Sequence, residues 1–115
     1  MTDRFAQMPK PPYYAVIFTS QLSEDDAGYA EMGEAMFDLA IAQPGCLGAE
    51  TARDTARFGI TVSYWDSEDS IAKWKAEAKH LVAQKQGIDR WYSHYTLRIA
   101  RVERAYSGPE GRTLG

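Results

Sequence analysis

Between Tyr64 and Tyr106 the chain holds all three of its tryptophans, both of its histidines and four of its seven tyrosines. That aromatic load exceeds what a small core needs. It points to an apolar ligand pocket or to an aromatic subunit interface. His80 and His94 are the side chains able to exchange a proton near neutral pH. Tyr95 offers a phenol and Arg98 a fixed positive charge, the types that stabilise an anion formed on a substrate. These four residues are the catalytic candidates. Other familiar chemistry is missing. There is no phosphate loop, no GxGxxG, no nucleophile elbow and no CxxC. His80, His94 and Cys46 fall on three different predicted elements, so no metal centre is expected.

The elements that must position these residues follow from periodicity. Tyr13–Ser20 is a short run of β-formers, apolar on both faces. Ser23 and Asp26 have capping-box spacing. Apolar residues then recur at helical intervals through Ala30, Gly33, Phe37 and Ala40, with Met32, Met36 and Leu39 beside them. Pro44-Gly45 stops that helix. Cys46–Asp54 reads as a weaker strand, 55–57 as a turn, and Phe58–Trp65 as an alternating strand. Asp66 or Ser67 caps a second helix with the stripe Ile71, Trp74, Ala78, Leu81 and Val82, ended by Gly87. Trp91–Tyr106 is expected to form a long last strand.

The order β-α-β-β-α-β predicts an α+β, ferredoxin-like sandwich with both helices on one face of a four-stranded antiparallel sheet. The first strand is apolar on both faces, through Val16 and Phe18 and through Ala15 and Ile17. The last strand changes its apolar face between Ile99 and Ala100. The helix-free face therefore needs a cover, and a second copy of the sheet is the simplest one. A homodimer with face-to-face sheets, a dimeric α+β barrel, is expected.

A chain of 115 residues is one domain. Residues 13–106 carry it, between a flexible N-terminal arm (1–12) and a C-terminal tail (107–115). The net charge of −3 carries no nucleic-acid footprint, and no apolar run reaches the roughly 20 residues of a membrane span. A lone cysteine excludes an internal disulfide and fits the cytoplasm.

One stretch carries a resemblance. It runs Ser63-Tyr64-Trp65, Ile71-x-x-Trp74-Lys75, His80-x-x-Ala83-Gln84-x-x-Gly87, Trp91-Tyr92 and Val102-x-Arg104-x-Tyr106, with the earlier turn Pro44-Gly45-Cys46-Leu47-Gly48. Over about residues 13–106 the chain resembles the antibiotic biosynthesis monooxygenase domain family. The resemblance implies a dimeric α+β barrel with a cavity between helices and sheet. It also implies cofactor-independent oxidation of a small planar aromatic or phenolic molecule, with no cofactor bound. The pocket residues it suggests are Trp74, Phe18, Tyr64, Trp91 and Gln84. The alternative is a non-catalytic binding or sensing protein using the same cavity. Haem binding or degradation ranks below both. Haem-degrading relatives use an Asn on the first strand, a Trp on the second helix and a His ten residues later. Trp74 matches the Trp, the His position falls on Gln84, and the Asn position falls near Thr19 or Ser20 in a chain without any Asn. Gln cannot replace the iron-ligating imidazole.

Plainer roles compete. Trp74 is either core or pocket wall, and Trp65 is expected at the subunit interface. His80 lies about 180° from Ile71 on a regular helix, on the solvent side. His94 should share the partner-facing side of the last strand with Tyr92 and Arg98, leaving Tyr95 and Trp91 toward the helices.

Overall fold

A computed structural model of the chain describes residues 5–24, 29–84 and 92–108, with the side chains of Met32 and of 79–84 outside the description. The elements are β1 (Tyr13–Leu22), α1 (Tyr29–Ile41), β2 (Cys46–Arg53), β3 (Phe58–Trp65), α2 (Glu68–Gln84) and β4 (Tyr92–Val102). The strands form one antiparallel sheet in the order β2-β3-β1-β4. This is the ferredoxin-like arrangement that the element order predicts. The Ser23 cap, the Gly87 stop and Trp91's side chain lie partly or wholly outside the described residues.

Register assigns the faces, because cross-strand partners point the same way. The helix side carries the rows Cys46–Trp65–Tyr14–Arg101, Ala49–Ser63–Val16–Ile99, Thr51–Thr61–Phe18–Leu97 and Arg53–Gly59–Ser20–Tyr95. The helix-free side carries Tyr64–Ala15–Ala100, Val62–Ile17–Arg98, Ile60–Thr19–Thr96 and Phe58–Gln21–His94.

The core sits where α1 and α2 meet β1 and β3. Val16, Ala40, Trp65 and Ile71 form it, with Tyr14, Cys46 and Trp74 packed around them. Trp65 is wholly buried, and its Nε1–H donates to the buried Ser63 Oγ at 2.8 Å. The expectation of Trp65 at a subunit interface is thus corrected. Its strand parity puts it under the helices, and the ring fills the core of its own chain.

Two turns fix the helices. Ser67 is the N-cap of α2, its Oγ accepting the Ser70 N–H at 3.1 Å. The Ser70 hydroxyl donates to Asp66 Oδ1 at 2.8 Å. Gly45 lies against this cap with φ of 91°, and a Cβ there would stand 2.2 Å from Ser70 Oγ. Only glycine fits.

The last strand departs from expectation at both ends. It stops at Val102, opposite Tyr13. Beyond that pair the neighbouring chain is Pro11-Pro12, which has no N–H to continue the ladder. At the other end a β-bulge intervenes. Gln21 pairs with His94, but Leu22 pairs with Tyr92, so Ser93 is an extra residue. Tyr92 therefore turns to the helix side, where it packs on Leu22, Phe18 and Tyr29. The expectation that Tyr92, His94 and Arg98 share one side is corrected. Simple alternation fails across the bulge.

The helix-free side is partly covered by the segment preceding β1. Ala6 N–H donates to Glu50 Oε2 at 3.0 Å, and Gly48 passes so close that an added Cβ would lie 3.1 Å from Ala6 Cβ. Tyr13 and Ala15 are buried there, whereas Phe58 and Ile60 remain 45% and 43% exposed.

Candidate functional site

α2 leaves β4 incompletely covered on the helix side. An open cleft of about 330 Å³ lies between them, lined by Glu68, Ile71, Ala72 and Lys75 of α2 and by Ile99 of β4. The four helix residues recur at i, i+3, i+4 and i+7, one face of the helix. Ile71 connects the cleft to the core, and Glu68 and Lys75 set one charge of each sign at its rim. Leu97 and Tyr95 extend the same row of β4 side chains past Ile99, and all three are substantially exposed. An apolar floor with few polar groups suits an apolar ligand.

At the far end of this floor is a polar cluster. Arg53 crosses Gly59, where a Cβ would stand 2.6 Å from its Cζ. Its Nη2 donates to Ser20 Oγ at 2.8 Å and to Tyr29 Oη at 3.3 Å. Its Nη1 donates to the carbonyls of Arg57 at 2.7 Å and of Ser20 at 3.3 Å. The guanidinium also lies 5.5 Å from the Tyr29 ring centroid. Tyr92 closes the cluster. Burial raises its phenol well above the ordinary tyrosine range, reinforced by its hydrogen bond to Tyr29 and opposed by the charge of Arg53. Phe18, Tyr92 and Tyr95 pack on one another at 5.3–5.9 Å between centroids.

The candidates read from sequence separate in space. Tyr95, Phe18 and Trp74 lie on the helix side of the sheet. His94 and Arg98 lie on the helix-free side and are exposed. Tyr64 also faces that side, donating to Glu50 Oε1 at 2.6 Å and packing edge-on against Tyr13. Burial, the Glu50 hydrogen bond and that carboxylate's charge push its phenol far above the usual range. The backbone of His80 and Gln84 belongs to α2, but their side chains, like Trp91, lie outside the described residues. Trp74 does not line the 330 Å³ cleft; it stacks inward on Trp65. Among the described residues no group of three metal-ligating side chains occurs.

Several residues of the cleft and cluster escaped the sequence reading: Glu68, Lys75, Ile99, Ser20, Tyr29 and Arg53. The i, i+3, i+4, i+7 spacing from Glu68 to Lys75 was the available signal for the first two. Arg53 gave none, since its route depends on a glycine in the neighbouring strand.

With this fold and cleft in view, relatives are informative. Residues 14–86 match the family described as antibiotic biosynthesis monooxygenase, and the chain belongs to that family. It is 49% identical over 104 residues to the uncharacterized protein YqjZ of Bacillus subtilis, a match covering 90% of this chain and 91% of that one. Among solved structures it resembles SnoaB, a cofactor-independent oxygenase from Streptomyces nogalater, with a TM-score of 0.67 at 9% identity. That match covers 81% of this chain and 95% of SnoaB. Protein SO0527 from Shewanella oneidensis aligns with a TM-score of 0.69 at 8% identity, over 82% and 94% of the two chains. At such identities these two structures speak to fold alone. No described helix is long and apolar enough to cross a membrane.

Proposed function

We propose that this chain is a cofactor-independent monooxygenase that oxidises a small planar aromatic or phenolic molecule. The observation that carries the reading is the open apolar cleft between α2 and β4, in a member of this family. In such a reaction an activated methylene loses its two hydrogens. One atom of O₂ becomes the new carbonyl oxygen and the other leaves as water, so the substrate supplies all the electrons. The protein's part is to exclude water, hold the ring flat and manage one proton and one developing anion. Within the described lining, Glu68 is the group able to accept a proton and Lys75 the one able to face an anion. Ile71, Ala72 and Ile99 supply the apolar walls.

The same reading places the protein in the cytoplasm as a homodimer. The exposed Phe58 and Ile60 on the helix-free side support a second copy there. A second function, ligand binding without turnover, is favoured by one observation: His94, a base candidate, lies on the side of the sheet opposite the cleft.

Aerobic oxidation of anthrone, followed by quinone absorbance and by incorporation of one atom from ¹⁸O₂, tests the proposal. A rate well above the no-protein control, lowered at least tenfold by Glu68→Gln, is the expected result. Tight binding of anthrone with no rate above the control identifies the binding protein instead.

A further inference from the structure

The Arg53 cluster is built more carefully than a surface arginine requires. Its guanidinium lies over Gly59, where an added Cβ would displace it, and crosses from β2 to β1 to reach a buried serine. Every hydrogen bond it makes among the described residues goes to a neutral oxygen: two carbonyls, a hydroxyl and a phenol. No carboxylate pairs with it there. A half-buried cation without a counter-charge is costly, and it strengthens any anion placed beside it. Two of its four bonds are long, at 3.3 Å, against about 2.9 Å for a good one. Those two can be exchanged for ligand oxygens at small loss.

The cluster also stands in the right place. Arg53, Gly59, Ser20 and Tyr95 form one cross-strand row on the helix side. Tyr95 is four residues from Ile99, about 13 Å along β4. Three fused rings carrying a terminal carboxylate approach that length, whereas two rings fall short of it. A planar molecule lying along Ile99, Leu97 and Phe18 would bring its end to the guanidinium.

We propose that Arg53 is an anion-binding residue of this site, and that the ligand is a planar aromatic molecule bearing a carboxylate at one end. The inference rests on the cleft as the ligand site, and it adds the chemical class of the ligand. A guanidinium meets a carboxylate with two parallel hydrogen bonds, so the charge is recognised with a fixed orientation. Gly59 is the positioning residue that keeps the guanidinium flat against the sheet.

The test compares anthracene-2-carboxylate with the neutral anthracene-2-carboxamide at pH 7, by quenching of tryptophan fluorescence and by calorimetry. The unmodified protein should bind the carboxylate about tenfold or more tightly. Arg53→Gln should bring both probes to the amide's affinity, and Gly59→Ala should erode the preference by displacing the guanidinium. If Arg53→Gln does not fold, Arg53→Lys replaces it and should lose most of the preference, because an ammonium cannot make the paired bonds; the preference should also shrink as ionic strength rises. Equal affinities in the unmodified protein overturn the Arg53 assignment and leave the cleft standing. A preference unchanged in the Arg53 variant, or unaffected by salt, overturns it too. Binding of neither probe overturns both the assignment and the cleft.

Discussion

The indole of Trp74 lies 5.4 Å from that of Trp65, tilted by 35°, yet the two rings differ in one respect. Trp65 donates its N–H to Ser63, whereas the Nε1 of Trp74 is buried with no partner among the described residues. A buried donor left unpaired costs about 1–3 kcal/mol. Trp74→Phe removes that donor and keeps most of the ring, so its stability should fall within about 1 kcal/mol of the starting protein. Trp74→Ala should cost about 3–5 kcal/mol. Urea unfolding measures both. A large loss in the Phe variant would mean that the N–H has a partner. Planar aromatic probes should also bind more weakly to Trp74→Ala, because the stacked pair supports Ile71 from behind.

The shifted phenols set an alkaline limit. Tyr64 and Tyr92 both hold their protons above the ordinary range when folded. The unfolded chain releases them near pH 10. Above that pH the unfolded state therefore binds fewer protons, and stability must fall as pH rises. Below it their contribution is complete. Burial raises the Cys46 thiol as well, so denaturation midpoints should begin to decline above about pH 8.5, where the unfolded thiol ionises, and fall more steeply beyond about pH 10. Tyr64→Phe should soften the decline, and a phenolate absorbance titration should show two tyrosines ionising late.

Glu50 holds two things at once, the Ala6 N–H and the Tyr64 hydroxyl. Glu50→Ala should free the segment before β1. Losing a charge-assisted bond of roughly 1.5 kcal/mol raises the open population about tenfold. Proteinase K cleavage within residues 5–12, read by mass spectrometry, should accelerate by a similar factor. Unchanged cleavage would show that apolar contact alone seats the segment.

The proposed homodimer has a direct check. Sedimentation equilibrium at micromolar concentration should give twice the monomer mass, and Ile60→Asp should shift the protein toward monomer. Ile60 is 43% exposed on the helix-free side, so the charge itself should cost little stability. A monomer in the unmodified protein would sink the barrel.

Much of this fold was legible because periodicity survives in short elements. The helical stripe of Ile71, Trp74 and Ala78 and the alternation of Phe58–Trp65 placed the start of α2 and the whole of β3 within a residue or two. Pro44-Gly45 and Ser67 marked real boundaries for the same reason: their backbone chemistry is local. What resisted was non-local. The inward side of Trp65 depends on which face the helices choose. The side taken by Tyr92 depends on a bulge with no sequence marker. Arg53 matters only because β2 meets β3 in the register that puts Gly59 beside it. Of the site, Tyr95 and Phe18 could be read from alternation, while the ionisable lining of α2 looked like solvated surface.

The bulge at Ser93 carries an evolutionary consequence. Ordinarily, losing one residue from a strand swaps every side chain upstream to the opposite surface. Here Leu22 already skips Ser93 to meet Tyr92. Excision of Ser93 would leave Tyr92 beside Leu22 and His94 beside Gln21, each still on its present side. This position can therefore lose its extra residue in descendants of the chain without reassigning the residues around it. Such a deletion would alter the local coiling of the strand, and so retune the span between the Tyr92 end and the Ile99 end of the floor while its constituents stay the same.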